Sequence, residues 1–173
     1  MKLDDKQAFA GDPLVLFVEE FGQDLCWLAY LITGDWDQGI EAVVTVLCSE
    51  GSEHQLSADS ARRPVVAAAV GVVGPELRKS ASRAAQTAEK ELVLTGLSTQ
   101  VSTRQELQRG LLAIDVFPRC ALLLTVLEGW SIEDAALLLD VDEALVLHAR
   151  NLGLIQLVCA QSRLPISSKI DHE

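Results

Sequence analysis

The chain has 173 residues, of which 49% are hydrophobic, and it carries a formal net charge of −11. That length allows one domain or two small ones, and the hydrophobic content is enough to bury a core. No apolar run approaches the ~18 residues that a membrane span needs. The start, MKLDDKQ, is too acidic for a signal peptide. We therefore expect a soluble cytoplasmic protein.

The charges are distributed unevenly along the chain. Residues 1–60 hold two cations and twelve acids, residues 61–110 hold eight cations and four acids, and residues 111–173 hold four cations and nine acids. The acidic ends would repel a phosphate backbone, so any contact with nucleic acid is expected through the basic middle segment. A solvated helical face is the alternative interpretation of these cations. The candidate nucleic-acid-binding residues are Arg62, Arg63, Arg78, Lys79, Arg83 and, further along, Arg150.

The first predicted helix begins at Asp12-Pro13, where an N-cap residue precedes proline. Apolar residues then recur every three or four positions as far as Thr33-Gly34, which is the pattern of an amphipathic helix. Asp35 is placed to cap a second helix that reaches about Leu47.

Residues 50–60 are polar and are expected to form a loop. A third helix follows and ends at Gly74-Pro75. A fourth is expected from about Glu76 towards Leu94. The small polar residues 96–102 are the best candidate for a linker between domains.

Helices resume at Thr103, which forms a capping-box pattern with Glu106. The apolar spacing extends this helix to Phe117, and Pro118 is expected to start the next one. Gly129 is placed to end that helix.

The remaining pattern is a short helix, a tight turn and a long last helix. Ser131 and Asp142 are the expected N-caps, and Asp140 lies in the turn between the two helices. No strand pattern competes anywhere in the sequence. The fold class predicted is all-α, with two small helical domains: residues 1–95, and a helix-turn-helix domain at 103–173.

The last helix has an unusual surface for a helix-turn-helix. Arg150 is its only arginine or lysine between positions 143 and 158. A DNA-reading helix needs cations for phosphates and polar side chains for base edges. Leu147, Leu154 and Val158 form a second apolar stripe, beside the one that faces the core. We predict that this stripe meets another protein surface, either the first domain or a partner.

The stretch LCWLAYLITGDWDQGIEAVVTVL resembles the first domain of sigma factors of the extracytoplasmic-function type. In that family the Thr-Gly-Asp pattern, followed by an acidic helix, docks on the clamp of RNA polymerase. The resemblance implies a polymerase or partner contact at Asp35, Trp36, Asp37 and Glu41. A helix cap with acids near the positive end of the helix dipole explains the same residues without a partner. Gln38, Gly39 and Ile40 depart from the acidic run of the family.

The stretch FPRCALLLTVLEGWSIEDAALLLDV resembles the promoter-binding helix-turn-helix of the same family. Phe117-Pro118-Arg119 and the turn at Glu128-Gly129-Trp130-Ser131 carry the match. Beyond the turn, Leu147 and Leu154 occupy positions that are commonly basic or polar in the family. No aromatic residue lies between Trp36 and Phe117 to stack on an opened promoter base.

The sequence therefore favours a divergent sigma-like protein that acts mainly through protein contacts, with RNA polymerase core, an anti-sigma factor or a second copy as partner. The alternative is a working sigma factor that directs core polymerase to promoters. No triad, glycine-rich phosphate loop or pair of catalytic carboxylates indicates an enzyme. The four cysteines lack close spacing and are expected to be buried free thiols, so neither a metal site nor a cofactor is expected.

Overall fold

The computed structural model describes residues 13–50, 58–87 and 103–162, and within these ranges every regular element is helical. The predicted all-α fold is confirmed. A five-residue π-helical segment, Leu123–Leu127, continues α6. No helix in the described ranges is both long and apolar enough to span a bilayer. The α-helices are α1 (Pro13–Thr33), α2 (Trp36–Glu50), α3 (Ala58–Val72), α4 (Gly74–Thr87), α5 (Arg104–Leu112), α6 (Val116–Leu122), α7 (Ile132–Leu139) and α8 (Glu143–Ser162).

The first-half helices follow the sequence pattern closely. The backbone N–H of Gln38 donates to Asp35 Oδ1 at 2.9 Å, so Asp35 caps α2 as predicted. Helix α3 begins at Ala58, inside the stretch predicted to be a loop, and α4 begins at Gly74 rather than Glu76. The rest of the predicted fourth helix, and the linker at 96–102, lie outside the described residues.

The second half differs from the prediction at one place. The Thr103–Glu106 capping box is present, but α5 ends at Leu112 instead of reaching Phe117. Asp115 caps a new helix by accepting the N–H of Val116 at 3.0 Å. Pro118 consequently falls in the first turn of α6, where a missing backbone N–H removes no intrahelical bond. The local cap, and not the proline, decides where this helix begins.

The short helix, the turn and the long last helix lie where the sequence predicts them. Ser131 caps α7 by accepting the N–H of Asp134 at 3.0 Å. Asp140 has a φ of 55°, the left-handed conformation that ends α7 and that aspartate adopts better than most residues. Helix α8 then packs on α5, α6 and α7.

The described parts of the two predicted domains pack on each other. Helix α4 lies against α6, α1 contacts α5 and α6, and the buried residues of both halves form one continuous cluster.

Two glycines allow helices to approach closely, α2 on α1 and α8 on α6. A Cβ on Gly39 would lie 2.9 Å from the backbone N of Tyr30, and one on Gly153 would lie 2.8 Å from the carbonyl oxygen of Pro118. The boundary at 96–102 stays a prediction.

Substituting Gly153→Ala should destabilise the protein by about 1–3 kcal/mol, because the new methyl group meets backbone and must push α8 away from α6. Gly71→Ala is the matched control, since no atom lies within 4 Å of a Cβ built there. That change should stabilise the protein by about 0.5–1 kcal/mol through helix propensity. Urea denaturation measures both values. Equal effects of the two substitutions would contradict the close packing of α8 on α6.

Candidate functional site

Three arginines of α3 and α4 form ion pairs with acids of the second half. Two of the pairs are bidentate. Arg62 donates to Glu128 from Nε to Oε2 at 2.9 Å and from Nη2 to Oε1 at 2.8 Å. Arg83 donates to Asp115 from Nε to Oδ2 at 3.1 Å and from Nη2 to Oδ1 at 2.9 Å. Such paired contacts are the strong, directional form of an arginine–carboxylate interaction. We call the following the inter-half ion pairs: Arg62–Glu128, Arg83–Asp115 and Arg63–Asp134.

The three inter-half ion pairs differ in their exposure to solvent. The Glu128 side chain is only 5% exposed, so salt screens its pair with Arg62 less than it would a surface pair. The Arg63–Asp134 distance is 3.5 Å and both side chains are well exposed, so that pair contributes little. Arg63 is held in addition by Trp130, whose ring centroid is 4.9 Å from the guanidinium carbon.

Asp115, at the start of α6, connects this helix to α4 through its ion pair with Arg83. Burial alone would raise the pKa of its carboxyl group. Hydrogen bonds from Arg83, Ser80 and the Val116 amide outweigh that effect and lower the pKa below its ordinary value. Ser80 is 1% exposed, and its hydroxyl oxygen accepts the N–H of Phe117 at 3.0 Å. The Arg83–Asp115 pair is itself exposed, with side chains 61% and 40% accessible, and it lies beside the buried Ser80–Phe117 hydrogen bond between the halves.

Arg119 lies in the core, 7% exposed, at the point where α1, α5 and α6 meet. Its Nη2 donates to the carbonyl oxygen of Ile32 at 3.2 Å, and its Nη1 donates to Ile114 at 3.3 Å and Leu112 at 3.4 Å. The carbonyls at the ends of α1 and α5 carry partial negative charge, which suits a cation. Burial nevertheless lowers the pKa of this guanidinium.

Gly34 lies directly over Arg119. Its φ is 78°, and a Cβ there would be 3.2 Å from Arg119 Nη2. The Thr-Gly-Asp turn of the first half and the Phe-Pro-Arg segment of the second, which the resemblance assigns to different domains, are therefore in contact. A cavity of about 570 Å³ opens beside them, with Asp35, Lys79 and Arg83 among its lining residues.

The six predicted nucleic-acid-binding cations are not gathered into one free surface. Arg62, Arg63 and Arg83 belong to the inter-half ion pairs. Arg78 and Lys79 are exposed on α4, whereas Arg150 is half-buried on α8. The positive charge of three of the six cations is thus already matched by acids of the same chain.

The residues predicted to contact polymerase lie together at the start of α2 and are exposed. Trp36 is 47% exposed, and its ring packs edge-on against Tyr30 at a centroid distance of 5.5 Å. Asp37 and Glu41 follow on the same helix. The role of Asp35 is accounted for by the cap, while Trp36, Asp37 and Glu41 have side chains available to a partner.

The second apolar stripe of α8 is only partly covered by the chain itself. Leu147 and Leu154 are each 39% exposed and Val158 is half-buried, while Val146 and Ala149 on the core side are fully buried. The first half does not bury the two leucines. A partner on this stripe stays a prediction.

Two cysteines differ from expectation. Cys48 and Cys159 are exposed, because their helix positions face away from the core. Cys120 is fully buried, and burial raises the pKa of its thiol to about 12. Among the described residues, no group of three His, Cys, Asp or Glu side chains is arranged to hold a metal ion.

The inter-half ion pairs and the contact of Arg119 with Ile32 were missed at the level of sequence. The available signal was the charge distribution, in which a basic middle segment precedes an acidic last one. Taken alone, that distribution is equally consistent with a nucleic-acid surface, a solvated helical face and complementarity within the chain.

A family model matches part of the chain. Residues 111–148 match the family model described as the sigma-like domain of the response regulator PhyR. The match extends from the end of α5 through the first turns of α8, and so covers the helix-turn-helix but under a quarter of the chain. No curated protein and no solved structure matches the chain. Residues 111–148 are therefore similar to a sigma-like domain, in agreement with the resemblance noted above.

Replacing Arg119 with methionine should destabilise the protein by about 2–4 kcal/mol, because buried carbonyl groups at two helix ends lose their donors. Arg78→Met, at an exposed position of α4, is the control and should change stability by less than about 0.5 kcal/mol. Urea denaturation followed by circular dichroism gives both values. If Arg119→Met lowers the free energy of unfolding no more than the control does, Arg119 does not hold the halves together.

Proposed function

We propose that this chain is a sigma-like regulator of transcription that works through protein contacts. In this proposal it presents sigma-like helical surfaces to another regulator, such as an anti-sigma factor, and so occupies a site that a true sigma factor would otherwise fill. The match of residues 111–148 to the sigma-like domain of a response regulator supports this role. Such a partner implies a bacterial, cytoplasmic setting.

The observation that carries the proposal is the set of inter-half ion pairs. A DNA-binding sigma factor needs free cations to displace counterions from phosphates. Here Arg62 and Arg83 are held bidentately by Glu128 and Asp115. To bind DNA through these two arginines, the protein would have to break both ion pairs. Each new contact with a phosphate would only replace a contact with a carboxylate of the same chain.

The helix-turn-helix supports the same conclusion. In such motifs the second helix presents its N-terminal residues to base edges. Helix α8 begins with Glu143, and the following exposed turn carries Leu147. A carboxylate repels phosphate, and a leucine offers base edges no hydrogen bond. This surface suits another protein better than it suits DNA.

The alternative, a sigma factor that binds core RNA polymerase, is favoured by one feature. Trp36, Asp37 and Glu41 form an exposed surface at the position that the family resemblance assigns to the polymerase clamp. An anti-sigma factor could recognise that surface equally well. Identifying the bound protein therefore distinguishes the two functions.

The test is an affinity capture of the tagged full chain from lysate of its own host, with the bound proteins identified by mass spectrometry. We expect a transcription regulator to be recovered without the polymerase core subunits. A double variant, Trp36→Ala with Glu41→Gln, should reduce the recovery of that regulator at least about fivefold, because a half-exposed tryptophan at an interface commonly contributes over 1 kcal/mol. Val18→Ala, at an exposed position of α1, is the control.

Recovery of the core subunits by the wild-type chain, and their loss in the Trp36→Ala/Glu41→Gln variant, would overturn the proposal in favour of the working sigma factor. Purified core polymerase added to the purified chain provides a direct check. We expect no complex at micromolar concentration.

A further inference from the structure

The cavity of about 570 Å³ lies where turns of both halves meet, and its lining is partly apolar. The α1–α2 turn and part of α4 line it from the first half, and residues between 114 and 119 line it from the second. Val73 and Ile114 are buried, and Val72 and Val116 also contribute to its walls. Cavities that bind small molecules usually have apolar walls with a few charged groups, and volumes of roughly 300–1,000 Å³.

Arg119, which lines this cavity, is a buried cation without a carboxylate partner. Its hydrogen bonds go to the carbonyl oxygens of Ile32, Ile114 and Leu112, and it forms no ion pair among the described residues. Its Nε is buried and has no hydrogen-bond partner there. Charges this deep in a protein are normally paired with an opposite charge. Arg119 therefore has the capacity to bind an anion that enters the cavity.

Two acids of the cavity are committed to other contacts of the chain. Both oxygens of Asp115 accept hydrogen bonds from Arg83. Asp35 also lines the cavity, and its Oδ1 accepts the N–H of Gln38 as the cap of α2. Neither carboxylate forms a hydrogen bond with Arg119.

Two charged side chains of the cavity have no partner of their own. Lys79 and Glu76 line it from α4, are exposed, and form no ion pair or side-chain hydrogen bond among the described residues. Lys79 offers a second cation in addition to Arg119. Glu76 and Asp35 oppose the approach of negative charge, so a group with one charge is favoured over a phosphate with two. The lining thus suits a carboxylate attached to an apolar body.

We propose that this cavity binds a small molecule with one carboxylate group and an apolar body. The carboxylate accepts hydrogen bonds from Lys79 and Arg119, and the apolar body lies against Val72, Val73 and Ile114. Because the occupant contacts both halves, it stabilises their packed arrangement as its concentration rises. The inference goes beyond the proposed function and does not depend on it.

Benzoate is the probe, because it joins one carboxylate to an apolar ring, and benzamide is its uncharged counterpart of similar shape. Binding to the full chain is measured by isothermal titration calorimetry at constant ionic strength. We expect benzoate to bind at least about tenfold more tightly than benzamide, since hydrogen bonds to a charged group are the stronger kind. Acetate, which lacks the ring, and inorganic phosphate, which carries more charge, should both bind more weakly than benzoate.

A lysine substitution tests the charged part of the site. Lys79→Met should weaken benzoate binding about threefold, the effect of losing one exposed ion pair, and should leave benzamide binding unchanged. Arg78→Met is the control, because it removes the same charge from an exposed position of α4 that does not line the cavity. Equal weakening by the two substitutions would show that net charge alone attracts benzoate, and would overturn the inference.

A valine substitution tests the apolar part of the site. Val72→Phe places a ring in the cavity and should weaken benzoate binding at least about tenfold. Its control, Val18→Phe, adds the same ring at an exposed position of α1 and should leave binding unchanged. Unchanged binding in Val72→Phe would place benzoate outside this cavity and overturn the inference.

Nuclear magnetic resonance tests the role of Arg119 in the wild-type chain, without a substitution in the core. Benzoate should shift the Nε–H resonance of Arg119, with the same dissociation constant as calorimetry gives, and benzamide should shift it much less. Benzoate that binds no better than benzamide, or that binds and leaves this resonance unmoved, would overturn the inference. Neither result bears on which protein the chain captures from lysate, so failure here is distinct from failure of the proposed function.

Discussion

The guanidinium of Arg119 holds three helices in one place. Its Nη1 and Nη2 donate to carbonyl oxygens at the end of α1 and at and just beyond the end of α5, while its buried Nε has no hydrogen-bond partner among the described residues. Gly34 lies over it with a φ of 78°, a conformation that favours glycine. A buried cation of this kind is tolerated only where such acceptors are already arranged. Its presence therefore fixes the Thr-Gly-Asp turn of the first half against the start of α6 in the second. The close contact of α8 with α6 at Gly153 extends this arrangement to the helix-turn-helix.

The inter-half ion pairs become possible because of that arrangement. With α6 fixed against α1, Asp115 comes within reach of Arg83, and Glu128 within reach of Arg62. Three arginines of the basic segment, Arg62, Arg63 and Arg83, are then paired with acids of the last one. Among the described residues, the aromatic and acidic start of α2 is an exposed surface available for recognition. It is better suited to proteins than to nucleic acid.

Local signals in the sequence predicted the helices well, and tertiary contacts account for most of what it did not predict. The caps at Asp35, Thr103 and Ser131 could be identified because a cap depends on a few neighbouring residues. The end of α5 is not evident from the sequence, because Pro118 is the more conspicuous helix-start signal whereas Asp115 provides the cap. Arg62 and Glu128 are 66 positions apart, and nothing local to either residue indicates the other. The exposed Leu137 lies in a run of three leucines, where the apolar pattern does not distinguish the buried member from the exposed one.

We propose that acids of the second half neutralise three of the six candidate DNA-binding cations, Arg62, Arg63 and Arg83. Duplex DNA binding over a series of salt concentrations tests it most directly, with three proteins: the wild type, the pair Asp115→Asn with Glu128→Gln, and the charge-matched control Glu19→Gln with Glu20→Gln. Circular dichroism verifies that each is folded. We expect weak binding by the wild type and the control, and tighter binding by the Asp115/Glu128 variant that falls steeply as salt rises. Wild-type binding as tight and as salt-dependent as that of the variant would contradict the account, as would a folded variant that binds DNA no better than the control.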